Sequence, residues 1–139
     1  MIIAVDFDGT IVEHRYPAIG REKLFAFETL RALLKKNHQL ILWTFRTGKP
    51  LDEAVEFCRA NGVEFYAVNR SYPEEQFDES VVSRKIQADV FIDDRNVGGF
   101  PGWGGIWHML NPEENPDFDQ QLKNIRGKNR KSWLKKLFS

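Results

Sequence analysis

Pairs of aspartates follow apolar runs at two places in the sequence. Asp6 and Asp8 come after the apolar run that opens the chain, and Asp93 and Asp94 come after a later one. Carboxylates gathered in one place repel one another unless a cation lies among them, and Mg²⁺ prefers oxygen ligands. A carboxylate can also act as a nucleophile that forms an aspartyl-phosphate. The four aspartates therefore predict a Mg²⁺ site suited to phosphate chemistry.

A hydroxyl and an amine accompany these acids. Thr44 ends another apolar run, and Lys85 precedes the second aspartate pair. Beside a metal ion, these two groups could hold a phosphate. Each group also has an ordinary interpretation: a satisfied turn residue for Thr44, a solvated charge for Lys85, and a helix cap or solvent-facing acids for Asp93 and Asp94. The occurrence of the whole set in one order favours a functional site.

The hydrophobic pattern alternates between strand-like and helix-like segments. Such alternation predicts an α/β fold with three α/β/α layers, in which helices cover both faces of a Rossmann-like parallel sheet. Strands are predicted at 2–5, 39–43, 65–68 and 90–92, with an edge strand at 105–109, and helices at 21–36, 47–60 and around 80–87. Because function gathers at the carboxyl ends of parallel strands, the aspartates, Thr44 and Lys85 are expected to converge at one sheet edge.

Length and composition limit the class of protein. A chain of 139 residues, 42% of them hydrophobic, fits one domain with a real core and excludes collagen-like and disordered classes. No apolar run approaches the roughly 20 residues of a membrane helix, and no signal peptide is recognisable. Cys58 is the single cysteine, so an internal disulfide and a cysteine-based zinc site are excluded. We expect a cytoplasmic protein without a membrane partner.

The formal net charge of zero is an average over two unlike parts. Residues 122–139 carry seven Lys and Arg and no acid, whereas residues 1–121 carry 13 basic and 20 acidic residues. We predict a core at 1–121 and a basic helical tail at 122–139 that packs on the core or on a partner. The tail leaves nucleic acid open as a partner.

The sequence resembles the haloacid-dehalogenase-like superfamily of phosphohydrolases. Residues 6–10, DFDGT, match the first motif of that family, DxDGT, in full. Thr44 after its apolar strand matches the second motif, Lys85 fits the third, and Asp93-Asp94 fits the fourth. The resemblance spans residues 1 to about 95 and implies little about the remainder.

The resemblance implies catalytic roles. Asp6 would attack phosphorus, and Asp8 would protonate the leaving group and then activate the water that hydrolyses the aspartyl-phosphate. Lys85 would offset the charge of Asp6 and of the phosphoryl group. Because dehalogenases of the superfamily lack an acid at the position of Asp8, this residue favours phosphate transfer over carbon–halogen cleavage.

The resemblance also implies binding roles. The groups that would hold phosphoryl oxygens are the Thr44 hydroxyl and the backbone amides near Phe7, Asp8 and Phe45. Mg²⁺ would be held by the Asp6 carboxylate, the Asp8 backbone carbonyl, and Asp94, Asp93 or both. Independently of the resemblance, Arg46 could contact an anionic part of the substrate beyond the transferred phosphate; its alternative is a solvated charge near a helix start.

Neither usual insertion point holds a cap domain, so the resemblance implies a capless member. Residues 10–20 and 44–85 are too short for one. An open site accepts a phosphorylated macromolecule, or a small substrate covered by a loop or by a second subunit of a homo-oligomer. Residues 97–105, with Phe100 and Trp103, are either a covering loop or an ordinary turn with a packing aromatic.

The leading hypothesis is a Mg²⁺-dependent phosphatase that works through an aspartyl-phosphate on a phosphorylated substrate. One alternative is a non-catalytic phosphate-binding or interaction protein on the same fold. Another is a nucleic-acid end phosphatase, suggested by the basic tail.

Overall fold

The computed structural model describes residues 1–114 and Asn124, which form a parallel sheet and helices. The strands are β1 (Ile2–Val5), β2 (Gln39–Leu42), β3 (Ala67–Val68) and β4 (Val90–Ile92). The helices are α1 (Ala26–Lys35), α2 (Gly48–Ala60) and α3 (Trp103–Leu110), followed by a 3₁₀ turn at Pro112–Glu114. No helix among these described residues is long and apolar enough to cross a membrane.

The four strands are parallel and lie in the order β3-β2-β1-β4. Val5 at the end of β1 pairs with Leu42 at the end of β2 and with Ile92 at the end of β4. The residues that follow these three strands therefore start at the same level of the sheet. The α/β class and the parallel sheet predicted from the sequence are confirmed.

The core lies around β1 and β2, whose residues from the second position onward are buried. From α1, Phe27, Leu30 and Leu33 are buried, as the 3.6-residue spacing of this helix predicts. From α2, Ala54 and Cys58 are buried. Burial raises the pKa of the Cys58 thiol to about 12, so this thiol stays protonated at neutral pH and packs as a core side chain.

Three predicted elements differ from the structure in their start or type, and β3 is shorter than predicted, with Ala67–Val68 in place of residues 65–68. Helix α1 begins at Ala26 rather than at residue 21, because Phe25 adopts the left-handed region at φ 63°. Residues 80–87 form turns rather than a helix, since the Asp78 carboxylate accepts hydrogen bonds from the Ser80 amide and hydroxyl. Residues 105–109 belong to α3 and not to an edge strand. The prediction was wrong because a short apolar run is compatible with both a buried strand and a buried helix.

The chain divides into two compact units, Met1–Trp103 and Gly104–Ser139. The first contains the whole sheet. Within the second, the Trp107 indole N–H donates to the Glu114 carboxylate at 2.8 Å. Apart from Asn124, the predicted tail at 122–139 lies outside the described residues.

Candidate functional site

A pocket of about 420 Å³ opens where β1, β2 and β4 end. Its lining residues follow these strands directly, as the parallel register requires. They are Asp6, Asp8, Trp43, Thr44, Phe45, Asp93 and Arg95. The structure thus brings together the predicted residues of the first, second and fourth motifs.

Three of the predicted aspartates form a cluster at this pocket. One carboxylate oxygen from each of Asp6, Asp93 and Asp94 lies within 4.8 Å of the others, and all three residues are half-buried. Burial raises the pKa of Asp6 to about 7, with further contributions from the Asp93 charge and from a hydrogen bond with Asp94. The cluster is an oxygen-rich site whose mutual repulsion a divalent cation would relieve.

Thr10 and Gly9 fix the geometry of this cluster. The buried Thr10 hydroxyl lies 3.2 Å from an oxygen of Asp6 and 3.2 Å from one of Asp94, and it accepts the Asp94 amide at 3.0 Å. Gly9 has φ 87°, and a Cβ there would lie 2.8 Å from the Asp94 Cγ. These two residues of the DxDGT run therefore position Asp94 beside Asp6, a role that the sequence analysis did not assign to them.

Asp8 lies in a different environment from Asp6. Arg46 donates to both of its carboxylate oxygens, from Nε at 2.8 Å and from Nη2 at 2.7 Å. Both side chains in this fork are 0% exposed. What Asp8 presents to the pocket is therefore its backbone, which suits the carbonyl contact expected from the resemblance.

Arg46 is a structural cation and not the substrate contact expected of it. Its remaining N–H groups donate to the carbonyls of Pro17, Ala18 and Pro50 at 2.8–3.2 Å, so all five donors are used. The hydrogen bonds with Asp8 raise the Arg46 pKa. The solvated alternative is wrong as well, because Arg46 is fully buried.

Thr44 is held at the pocket by two local contacts. Its amide donates to the Asn69 side-chain oxygen at 2.8 Å, and its hydroxyl oxygen accepts the Arg46 amide at 3.2 Å. A hydroxyl that accepts one bond keeps its proton as a donor for another group. Asn69 was missed as a site residue, although its place after β3 follows the same strand-end rule that selected Thr44.

Lys85 is not brought into the pocket. It is exposed and lines another concavity with Ile2 and Asp89. Ile2 begins β1 whereas Asp6 follows it, which corresponds to about 13 Å along a strand. The residue that supplies a side-chain cation at the pocket lining is the exposed Arg95, which no sequence motif singled out.

Phe45 at the pocket contacts two other aromatic side chains, and we refer to His14, Tyr16 and Phe45 as the aromatic wall. Phe45 lines the pocket and is 57% exposed. His14 stacks on it at 6.3 Å and 16°, and Tyr16 meets it edge-on at 4.9 Å between ring centroids.

The segment after β4 is anchored through Trp103. This side chain is 2% exposed, and its indole N–H donates to the Thr10 carbonyl at 2.8 Å. Phe100 meets it edge-on at 5.8 Å. Trp103 is thus a packing aromatic, as one of the two interpretations of residues 97–105 predicts.

Comparison with known proteins identifies a structural relative. A solved structure of a conserved protein from Bacteroides thetaiotaomicron superposes with a TM-score of 0.76 at 61% sequence identity, over 81% of this chain and 91% of that one. No protein-family model and no curated protein matches the chain. Identity this high over most of both chains shows that the chain belongs to the same family as that Bacteroides protein.

Proposed function

We propose that the protein is a Mg²⁺-dependent phosphohydrolase of the haloacid-dehalogenase-like type, with a three-layer α/β/α arrangement and with Asp6 as its nucleophile. The observation that carries this proposal is the convergence of Asp6, Asp93 and Asp94 within 4.8 Å in an open pocket. Structural ion-pair networks pair acids with bases, whereas this cluster places acid beside acid. Such an arrangement is costly without a cationic ligand and supports a functional site.

The donor set fits Mg²⁺. The Asp6, Asp93 and Asp94 carboxylates and the Asp8 backbone carbonyl are all oxygen donors, and all four residues belong to the pocket or its acidic cluster. When bound there, Mg²⁺ would offset the negative charge that repels a phosphate from these acids. Both Asp93 and Asp94 are within reach of Asp6, so neither is favoured as the single additional ligand.

The residues around Asp6 bind and orient the phosphoryl group in this proposal. The Thr44 hydroxyl keeps its proton to donate to a phosphoryl oxygen, and Arg95 supplies the positive charge first assigned to Lys85. Asp6 must be ionised to attack, and its pKa near 7 keeps it partly protonated until a cation arrives. Asp8 can reach a substrate only after its buried side chain turns from Arg46 toward the pocket.

The Asp8–Arg46 pair favours a second candidate function. A carboxylate that is 0% exposed and held by a buried guanidinium is poorly placed to act as acid and base on a ligand in the pocket. The position of Lys85 outside the pocket points the same way. This second candidate is a phosphate-binding protein that uses the same cluster and metal but does not hydrolyse its ligand.

Hydrolysis of p-nitrophenyl phosphate with Mg²⁺ tests the first proposal. We expect turnover by the wild type, a loss of about 10³-fold or more in Asp6→Asn, and an unchanged rate in Asp52→Asn, an exposed acid on α2. Equal rates in the wild type and Asp6→Asn would contradict the nucleophile assignment. Mg²⁺ and phosphate binding without any turnover would instead select the second candidate.

Mg²⁺ binding itself is measured by thermal unfolding and calorimetry. At ten times its dissociation constant, the ion is expected to stabilise the fold by about 1.4 kcal/mol. Asp94→Asn should remove this gain and Asp52→Asn should retain it. A gain of equal size in both variants would place the ion elsewhere.

A further inference from the structure

The Phe45 ring is an exposed apolar surface on a pocket that also contains Trp43 and several charged side chains. It is 57% exposed and borders the same pocket as Asp6, Asp93 and Arg95. A phenyl ring left in water loses the stabilisation that burial would provide. Its position at the pocket therefore calls for a ligand surface that covers it.

The aromatic wall holds this ring in place. His14 stacks against Phe45 and Tyr16 meets its edge, while the Arg46 guanidinium lies 5.1 Å from the centroid of the Tyr16 ring. The ring is thus connected through Tyr16 to the buried Asp8–Arg46 pair. A surface that is already ordered costs little conformational entropy when a ligand stacks on it.

The chain connectivity relates the wall to the phosphate position. Phe45 directly follows Thr44, whose hydroxyl is assigned to the phosphoryl group, and consecutive Cα atoms lie about 3.8 Å apart. A group esterified to that phosphate is therefore within reach of Phe45. The apolar face of Phe45 favours an uncharged group, and the pocket volume of about 420 Å³ leaves room beyond a phosphate.

We propose that the aromatic wall is a leaving-group subsite for phosphate monoesters that carry a flat, uncharged ring. Resting on the proposed function, this assigns the substrate class of the same site. The ring stacks on Phe45 while the phosphate lies between Thr44 and the acidic cluster. A nucleobase and an aryl group both present such a ring. In a nucleotide the ribose separates the ring from the phosphate, whereas in an aryl phosphate the ring is bonded directly to the ester oxygen.

The test compares three substrates with Mg²⁺: adenosine 5′-monophosphate, phenyl phosphate and ribose 5-phosphate, which lacks the ring. We expect at least one ring-bearing ester to have a higher kcat/KM than ribose 5-phosphate. The ratio of these two kcat/KM values measures the preference for a ring, and Phe45→Ala should lower this ratio about tenfold. Phe77→Ala should keep the wild-type ratio, because Phe77 is similarly exposed at 54% but lies outside the pocket lining. Selective loss for the nucleotide assigns a nucleobase, and selective loss for phenyl phosphate assigns an aryl group.

An unchanged ratio in Phe45→Ala, or a preference for the ring-free ester, would overturn the proposal. Calorimetric binding of adenosine 5′-monophosphate and phenyl phosphate to Asp6→Asn separates this failure from failure of the proposed function. Binding that weakens about tenfold in Asp6→Asn/Phe45→Ala, without turnover by the wild type, supports the subsite and rejects hydrolysis. Turnover without a ring preference supports hydrolysis and rejects the subsite.

Discussion

Asp6 and Asp8 stand two residues apart after the same strand and have opposite electrostatic surroundings. Asp6 is half-buried beside Asp93 and Asp94, and its pKa is raised to about 7. Asp8 is fully buried and receives two hydrogen bonds from Arg46 at 2.7–2.8 Å. Within two residues, the chain therefore passes from an aspartate surrounded by other carboxylates to an aspartate that is paired with an arginine.

The two residues therefore also differ in what they contact. The Asp8–Arg46 pair joins the loop after β1 to the start of α2, because Arg46 also donates to the Ala18 and Pro50 carbonyls. Within residues 1–114, Asp6 has no such cation paired with it, and it lines the open pocket. The more stable arrangement supports the loop, and the less stable one remains available for a ligand.

Removal of Arg46 should give the largest change in stability. Arg46→Met leaves the Asp8 charge buried and unpaired, so we expect a loss of about 3–5 kcal/mol in the free energy of unfolding. Urea unfolding provides the measurement. Arg95→Met, an exposed arginine on the same pocket, should change stability by less than about 0.5 kcal/mol. An equal loss of stability in Arg46→Met and Arg95→Met would show that the buried Asp8–Arg46 pair does not stabilise the fold.

Two glycine substitutions examine how tightly Asp94 is positioned. Gly9 and Gly48 both have positive φ, at 87° and 57°, but only Gly9 lies against Asp94, and Gly48 has nothing within 4 Å. Gly48→Ala should cost about 1–2 kcal/mol of backbone strain. Gly9→Ala should cost about 1–3 kcal/mol more, because its methyl group must displace Asp94.

Urea midpoints of the two glycine variants compare these costs, and their response to Mg²⁺ provides a second readout. The Mg²⁺ response should fall in Gly9→Ala and persist in Gly48→Ala. Identical behaviour would show that Asp94 moves aside freely.

Asp6→Asn should stabilise the metal-free protein at high pH. Because the pKa of Asp6 rises from 3.8 to about 7 on folding, ionisation above pH 4 favours the unfolded chain, and the penalty is complete above pH 7. We expect a gain of about 2 kcal/mol at pH 8, allowing for partial solvent screening. This gain should disappear as the pH falls toward 4. Urea unfolding in EDTA provides the measurement, with Asp52→Asn as the control.

Loss of stability in Asp6→Asn at pH 8 would mean that the cluster is a satisfied network rather than a repulsive one. A gain that is equally large at pH 4 would point to packing, because protonated Asp6 carries no charge to remove.

Strand-end positions were predictable because they depend on local pattern. Apolar runs identified β1, β2 and β4, and the parallel order of such strands places Asp6, Thr44 and Asp93 at one edge. Helix α2 was predictable as well, since Gly62 with φ 83° follows its end. These features are encoded by residues that are neighbours in sequence.

Contacts between distant segments were not predictable in this way. Arg46 pairs with an acid 38 positions away, and only the folded path of the loop after β1 brings them together. Lys85 matched a motif by order alone, but the turns at residues 80–87 leave it beside Ile2. Arg95 and Asn69 carried no signal stronger than an ordinary polar residue after a strand.

The sequence by itself determined that several acids meet at one edge of a parallel sheet. Apolar runs locate the strands, and the residues that follow parallel strands lie at the same edge. The tertiary structure decided which acid is neutralised and which is left among like charges. That choice depends on a guanidinium delivered from another segment, and on burial that only the assembled fold provides. The electrostatic distinction between Asp6 and Asp8 is therefore a property of the fold, although both residues stand in one five-residue motif.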